Sequence, residues 1–209
     1  MEDIIKAIHY HGFDINIYYD DIAESPDCWG DDELFLTHYH RQFEITRDEL
    51  ITQDELTDYY NGEKIDKQKV YHIFMVYAYI HSGVSLSLAD VEYPFTDKWD
   101  TSCCGAVMVE KYKGLTKSKA RKMANGLIKS WNEYLSGEIY GYSIEGIDSC
   151  YGYYGDIETS GLLDEAKGAI DYHIDKATKK HIKARKAQMK NKVELQKRVT
   201  LIDTLYHLA

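Results

Sequence analysis

The segment that decides the fold runs from Val70 to Leu88 and reads Val-Tyr-His-Ile-Phe-Met-Val-Tyr-Ala-Tyr-Ile, then His-Ser-Gly, then Val-Ser-Leu-Ser-Leu. Its first part is dense in β-branched and aromatic side chains, which is typical of a buried strand. Its last part alternates apolar and polar residues, as in a strand with one buried face. The His-Ser-Gly between them predicts a hairpin turn. Antiparallel pairing is therefore expected here, because the connections up to residue 112 are too short for parallel crossovers.

Further strands are predicted on both sides of this hairpin. In the first of them Ile15, Ile17 and Tyr19 share one face, as in a strand with one buried side. A later stretch is rich in aromatic residues and glycine, and it predicts a second hairpin that turns near Glu145-Gly146. The predicted strand regions are Ile4–Asp20, Leu34–Phe43, Cys104–Tyr112 and the hairpin Glu138–Gly155.

Two capping boxes predict a short helix before the central hairpin. They are Thr46-Arg-Asp-Glu49 and Thr52-Gln-Asp-Glu55, and either can start a helix that runs toward Tyr60. Asn61-Gly62 is expected to end it, because both residues tolerate the backbone geometry of a helix terminus.

The clearest helix is predicted for Lys117–Leu135, with Thr116 as its N-cap and Ser136-Gly137 at its end. Glu158–Ile174 is also expected to be helical. From Lys176 onward the helical pattern continues without glycine or proline. Together these elements predict an α+β fold, with a mainly antiparallel sheet, two or three helices on one face and a long C-terminal basic helix.

Charge divides the chain into two parts. Residues 1–175 hold 15 basic and 33 acidic side chains, a net charge of −18, whereas residues 176–209 hold ten basic and two acidic side chains, a net charge of +8. We therefore predict an acidic α+β domain over residues 1–175 and a basic helical tail over 176–209. An acidic surface repels nucleic acid and attracts basic partners, while a basic tail does the reverse.

Several protein classes are disfavoured by the composition. The first residues lack the pattern of a signal peptide, and the longest apolar run, Ile73–Ile80, is far shorter than the ~20 residues that span a bilayer. Cys103 and Cys104 are adjacent and no Cys-x-x-Cys occurs, so reduced thiols in a cytoplasm are expected. No Walker loop, Rossmann glycine pattern or kinase signature is present, which disfavours most phosphate-handling enzymes.

Four segments resemble a widespread family of uncharacterised small proteins encoded by tailed phages, prophages and plasmids. The segments are Tyr79-Ile-His-Ser-Gly-Val-Ser85, Trp99-Asp-Thr-Ser-Cys-Cys-Gly105, Gly137-Glu-Ile-Tyr-Gly-Tyr142 and Asp148-Ser-Cys-Tyr-Gly-Tyr-Tyr-Gly155. The resemblance covers about residues 13–165. It implies a role in host takeover or counter-defence in the cytoplasm of the host cell, and it carries over no catalytic residue.

Two pairs of histidines could in principle hold a metal. His9-x-His11 and His38-x-His40 each place two imidazoles on one face of a predicted strand, so four would gather if those strands paired. No carboxylate or cysteine stands at a characteristic spacing from either pair. Solvent-facing histidines on strands are therefore the favoured interpretation, and no metal or other cofactor is expected.

A nucleophilic site could be assembled on paper from His81-Ser82 and one of three aspartates, Asp97, Asp100 or Asp148. Ser82-Gly83 is explained more simply as a hairpin turn. Cys150 and the Cys103-Cys104 pair are expected to pack as small apolar residues, because no basic neighbour of Cys150 in the sequence would lower its pKa. We therefore expect no catalytic residue, and an enzyme with an unrecognised site is the third hypothesis for the function.

An acidic loop between the first two strand regions is the predicted partner-binding site. Its carboxylates could bind a cation, imitate phosphates or simply be solvated, although their spacing is not that of an EF-hand. The predicted contact residues are Asp20, Asp21, Glu24, Asp27, Trp29, Asp31, Asp32 and Glu33.

The tail carries ten cations in 23 residues, which suits nucleic-acid phosphates, the protein's own acidic domain or that of a second copy. The sequence favours assembly, because the acidic domain would repel the nucleic acid that the tail attracts. Its central cations are Lys179, Lys180, Lys183, Arg185, Lys186 and Lys190.

Together, these observations predict a phage or mobile-element accessory protein that binds and inhibits a host nucleic-acid-handling defence enzyme, of the anti-CRISPR or anti-restriction type. The partner would be a basic nuclease or its complex, bound by the acidic domain in partial mimicry of nucleic acid. The alternative is a nucleic-acid-binding module that acts through the basic helix. A homo-oligomer is compatible with either.

Overall fold

The computed structural model describes residues 3–29, 33–39, 51–89, 95 and 99–206. Within these ranges the chain forms eight strands and three α-helices, together with 3₁₀ turns at Pro26–Trp29 and Asp66–Lys69. In chain order the elements are β1 Lys6–Tyr10, β2 Phe13–Tyr19, β3 Leu34–His38, α1 Gln53–Tyr60, β4 Tyr71–Ile80, β5 Val84–Leu88, β6 Thr101–Glu110, α2 Lys117–Ser136, β7 Ile139–Ile144, β8 Asp148–Tyr154 and α3 Leu162–Tyr206.

The predicted α+β class is confirmed, but the strands form two antiparallel sheets rather than one. The first sheet has the order β1-β2-β7-β8, and the second has the order β3-β6-β4-β5. The central hairpin of β4 and β5 pairs as expected, with Ile80 opposite Val84. Strand β2 pairs with β7, more than a hundred residues further along the chain, and this partnership joins the two ends of the fold.

The prediction that the helices lie on one face of the sheet is wrong, because α1 and α2 cover opposite faces of the second sheet and α3 covers the first. Apolar side chains of α2, including Trp131, pack on one face of the second sheet, while Leu56 of α1 packs on the other. Strand β6 is consequently buried along both faces from Cys104 to Val109. The first sheet packs one face against the start of α3, where Leu162, Ala166 and Ile170 are fully buried.

Local sequence signals placed the helix ends well. Thr52 and Glu55 form the predicted capping box of α1, and Thr116 accepts a hydrogen bond from the N–H of Lys119 as the N-cap of α2. Gly137 ends α2 with a φ of 72°, a left-handed conformation that glycine adopts without steric cost. The other predicted capping box, Thr46–Glu49, lies outside the described residues.

Three predicted elements had wrong boundaries, and one of them is β6, which spans Thr101–Glu110 rather than Cys104–Tyr112. The region Ile4–Asp20 is a hairpin and not one strand, because His11 and Gly12 both have positive φ, 49° and 88°, as a type I′ turn requires. Helix α3 starts at Leu162 rather than near Glu158, because Gly161 has a φ of 90° and cannot be part of an α-helix. For β3, the predicted extension over residues 40–43 lies outside the described residues.

Helix α3 is 45 residues long and passes through residues 175 and 176 without a break. Its first turns are buried against the first sheet, and Ile174 is the last residue that packs there. No helix among the described residues is both long enough and apolar enough to cross a membrane.

Candidate functional site

The acidic loop follows β2 and is anchored to the first sheet. The N–H of Asp20 donates to the carbonyl of Ile139 over 2.9 Å, which extends the pairing of β2 with β7. The carboxylate of Asp20 also accepts from the N–H of Ile22 over 3.3 Å. These bonds fix the start of the loop, and with it the carboxylate of Asp20, beside the sheet.

An open cavity of about 580 Å³ lies between this loop and β8. Two tyrosines of β8 form its aromatic side, and the hydroxyl of Tyr154 donates to the carbonyl of Glu24. Ile22 stands at the edge of the cavity and is 92% exposed. The lining residues are Asp20, Asp21, Ile22, Ala23, Glu24, Tyr151, Gly152 and Tyr154.

The ring of Tyr151 packs against the backbone of a glycine on the neighbouring strand. A methyl group at Gly141 would overlap this ring, so the tyrosine lies directly on the glycine backbone. Tyr142, next to Gly141, points into the core beside α3. Because side chains alternate along a strand, the Tyr151 ring and the cavity lie on the sheet face opposite α3.

Carboxylates beside tyrosine rings suit a cationic group. A lysine or arginine side chain that entered this cavity would meet Asp20, Asp21 and Glu24 as charge partners and the tyrosine rings as cation–π partners. An exposed apolar residue such as Ile22 would cover the stem of such a side chain. The geometry therefore fits a basic partner surface better than a small neutral ligand.

The other predicted contact residues lie further along the loop. Asp27 is only 6% exposed and belongs to the 3₁₀ turn, so its carboxylate is not presented at the surface. Glu33 is exposed, and its carbonyl accepts the N–H of Glu110 over 2.7 Å. The side chain of Trp29, and residues 31 and 32 (Asp31 and Asp32), lie outside the described residues.

The sequence prediction of the site named the carboxylates but not the tyrosines that line the same cavity. Tyr151 and Tyr154 were attributed to a hairpin alone, although that hairpin carries the third and fourth segments of the family resemblance. A glycine at 141 with an aromatic residue on the partner strand is the signal that could have indicated a close cross-strand contact.

The first and second resemblance segments meet at one end of the second sheet. His81 Nδ1 and Asp100 Oδ2 are 3.0 Å apart, and the N–H of Ile80 donates to the carbonyl of Asp100 over 2.8 Å. The ring of Tyr79 stacks with those of His81 and Phe95, with centroid distances of 6.3 Å and 5.5 Å. The hairpin turn is thereby fixed to the start of β6.

This histidine and aspartate resemble two members of a catalytic triad, but the third contact is not formed. No hydrogen bond between Ser82 and His81 is present in the described part of the chain, and Ser82 lies in the turn as expected. Asp148 is engaged elsewhere, because it accepts the hydroxyl of Tyr142 over 2.8 Å. Asp97 lies outside the described residues.

The two histidine pairs are far from forming one site. Strands β1 and β3 belong to different sheets, so the pairing that would gather four imidazoles does not occur. His9 Nδ1 contacts Asp14 Oδ1 at 2.8 Å, whereas His11 Nε2 lies 3.8 Å from Asp171 Oδ1. Residue 40 (His40) and the side chain of residue 38 (His38) are outside the described set, and within that set no three potential ligands cluster.

The cysteines occupy different environments. Cys104 is buried, and burial raises the pKa of its thiol to about 12. Partial burial of its thiol also raises the pKa of Cys103, although the residue as a whole is exposed to solvent. Cys150 is half-buried in β8 and packs with the core of the first sheet. The apolar packing predicted for Cys104 and Cys150 is confirmed, whereas the same prediction for Cys103 is wrong, because that residue is exposed and belongs to no core cluster of the described residues.

We expect Cys104 to resist alkylation in the native protein. With a pKa of about 12, its thiolate fraction at pH 8 is roughly 10³-fold smaller than that of a free cysteine. Iodoacetamide labelling followed by peptide mass spectrometry measures this directly, and the same cysteine in urea-unfolded protein is the control. Equal labelling rates in the native and unfolded protein would show that Cys104 is accessible.

The basic part of α3 extends away from both sheets. Between residues 175 and 200, every side chain that the structure describes is exposed, so the cations do not fold back onto the acidic domain. Lys179 pairs with Asp175 within the helix, and Lys176 lies over the Tyr172 ring at 5.9 Å. Of the three partners considered from sequence, the protein's own domain is therefore not the one contacted.

Comparisons of this chain with protein-family models, with curated proteins and with solved structures found no match. The family resemblance therefore remains a hypothesis that rests on the four segments, which the fold brings together as two adjacent pairs.

Proposed function

We propose that this protein is a phage or mobile-element accessory protein that binds and inhibits a host nucleic-acid-handling defence enzyme, such as a CRISPR or restriction nuclease. The observation that carries the proposal is the cavity between the acidic loop and β8. It presents Asp20, Asp21 and Glu24 beside Tyr151 and Tyr154, on the sheet face opposite α3.

Nucleases of this kind hold nucleic acid in basic grooves, where lysine and arginine contact phosphate oxygens. Carboxylates can take the place of those phosphates, and tyrosine rings can stack against arginine. The −18 charge of residues 1–175 adds long-range attraction, which speeds the encounter with a basic surface. Inhibition would therefore be competitive with nucleic acid.

The four resemblance segments supply the biological context. Counter-defence genes are common on the elements that encode proteins of this kind, and a small binding protein without a recognised catalytic motif fits that role. This part of the proposal rests on association and not on the chemistry of the cavity.

The test is a cleavage assay with a panel of purified CRISPR and restriction nucleases and their DNA substrates. We expect the protein to inhibit at least one nuclease at near-stoichiometric amounts, with inhibition relieved by excess substrate DNA. For the variant Asp20→Asn/Asp21→Asn/Glu24→Gln, at least about tenfold more protein should be needed for the same degree of inhibition. This corresponds to a loss of about 1.4 kcal/mol of binding free energy.

A control variant separates the cavity from general charge. Asp54→Asn/Asp58→Asn/Glu63→Gln changes the net charge by the same amount at exposed positions on and just after α1, and it should inhibit like the unmodified protein. Equal loss of inhibition in both variants would mean that the net charge of the protein, and not the cavity, is responsible for the inhibition. Full activity of every nuclease, with no complex in light scattering, would contradict the proposal.

A further inference from the structure

A second surface lies on the part of α3 that extends beyond the acidic domain. Every described side chain of this projecting segment, residues 175–200, is exposed, and the last residue of α3 that packs on the first sheet is Ile174. Lys180, Lys183, Lys186 and Lys190 form no ion pair with any residue in the described ranges. Their charges are therefore available to a partner.

Seven of the eight lysines of the projecting segment lie along one face of the helix. Successive residues of an α-helix are about 100° apart, so seven of them fall within an arc of about 120°, while Arg185 and Lys192 lie on the opposite side. At about 1.5 Å per residue the stripe is about 32 Å long. The seven are Lys176, Lys179, Lys180, Lys183, Lys186, Lys190 and Lys197.

A straight basic stripe of this length fits a duplex. Double-stranded nucleic acid carries about one negative charge per 1.7 Å of its axis, so phosphates are available along the whole stripe. A single helix has the width to lie in the major groove of DNA or along a phosphate backbone. Lysine is a compact point charge and contacts phosphates without reading the bases.

The structure also removes the objection that the acidic domain would repel the same ligand. Ile174 is the last packed residue of α3, and Lys183 to Lys197 lie about 14–35 Å beyond it along the axis. The screening length is about 8 Å at physiological ionic strength. The outer cations therefore lie about two to four screening lengths beyond the last packed residue, so the charge of the domain is largely screened from a ligand bound toward the end of the segment.

Helix pairing with a second copy is less well supported. A coiled-coil seam needs apolar residues at two positions of every heptad. Ile182 and Met189 are exposed and stand one heptad apart, but the positions between them that would complete the seam are Arg185 and Lys186. Leu195 and Val199 are also exposed and lie one turn apart, but only near the far end of the segment. Two such helices would therefore bring lysines together without a continuous apolar core to offset the repulsion.

We propose that the projecting segment of α3 binds the phosphate backbone of double-stranded nucleic acid, with little preference for sequence. This surface is separate from the acidic cavity, so the two can fail independently. Binding here would keep the protein close to the nucleic acid, while the acidic domain stays free for another partner.

The experiment is a fluorescence-anisotropy titration of full-length protein with labelled 20-base-pair duplex DNA and, in parallel, duplex RNA, between 50 and 200 mM salt. We expect the logarithm of the association constant to fall linearly with the logarithm of the salt concentration. The variant Lys180→Gln/Lys183→Gln/Lys186→Gln/Lys190→Gln should lose at least tenfold in affinity at 100 mM salt. The slope of this plot should also become less steep, by about 0.9 for each lysine that had contacted a phosphate.

The matched control is Lys113→Gln/Lys117→Gln/Lys119→Gln/Lys122→Gln, which removes four exposed lysines near the start of α2 and should bind within twofold of the unmodified protein. Glutamine keeps the helix propensity of lysine, and circular dichroism checks that α3 persists. Absence of binding at 50 mM salt, or equal loss in both variants, would overturn the proposal. Light scattering tests the remaining possibility. If the particle mass halved only in the variant of Lys180, Lys183, Lys186 and Lys190, and no nucleic acid were bound, a second copy would be the partner.

Discussion

Trp131→Ala is expected to lower the free energy of unfolding by about 3–5 kcal/mol. Trp131 is 1% exposed and packs between α2 and the second sheet, with its ring edge-on to Tyr134 at 5.9 Å. Removal of the indole leaves a cavity that neither the helix nor the sheet can close without moving apart. Because small domains are stable by only about 5–15 kcal/mol, this is a large fraction of the total.

Urea denaturation followed by circular dichroism measures this loss without relying on tryptophan fluorescence. Trp99→Ala is the matched control, because Trp99 is 96% exposed and its removal should change stability by no more than about 0.5 kcal/mol. If the two variants unfolded at the same urea concentration, Trp131 would not belong to the core.

Ile170→Asp is expected to cost about 4 kcal/mol or more. Ile170 is fully buried where α3 packs on the first sheet, among Ile15, Ile17 and Tyr142. A carboxylate there would lose its hydration without gaining a partner, and an uncompensated buried charge costs about 3–5 kcal/mol even before the lost apolar burial is counted. The start of α3 should separate from the sheet.

Tyr172→Asp on the same helix provides the comparison, because Tyr172 is 68% exposed and the new charge would remain in water. Hydrogen exchange should show lost protection in α3 and β7 for Ile170→Asp only. Unchanged protection in both variants would mean that α3 is not held by this core, and the projecting segment would then need another anchor.

The sequence by itself determined the elements whose signals are local. The capping box at Thr52, the N-cap at Thr116 and the glycine at 137 each act within one helical turn, so the ends of α1 and α2 followed from neighbouring residues. The hairpins β4–β5 and β7–β8 followed from alternation and turn residues in the same way. The separation of charge between residues 1–175 and the tail also needed only counting.

The tertiary structure alone decided which strands pair and what meets across them. Strand β2 pairs with β7 and not with β3, so the strands form two sheets instead of the predicted one. This partner could not be predicted locally, because it depends on burial between segments far apart in the chain. That pairing brings the acidic loop after β2 to the tyrosines of β8, where Tyr151 lies over Gly141 of β7. The extension of α3 beyond Ile174 was likewise a tertiary matter, because its basic sequence could equally have lain on the acidic domain. Local signals specify the elements, whereas long-range packing specifies their neighbours, and both proposed binding surfaces depend on those neighbours.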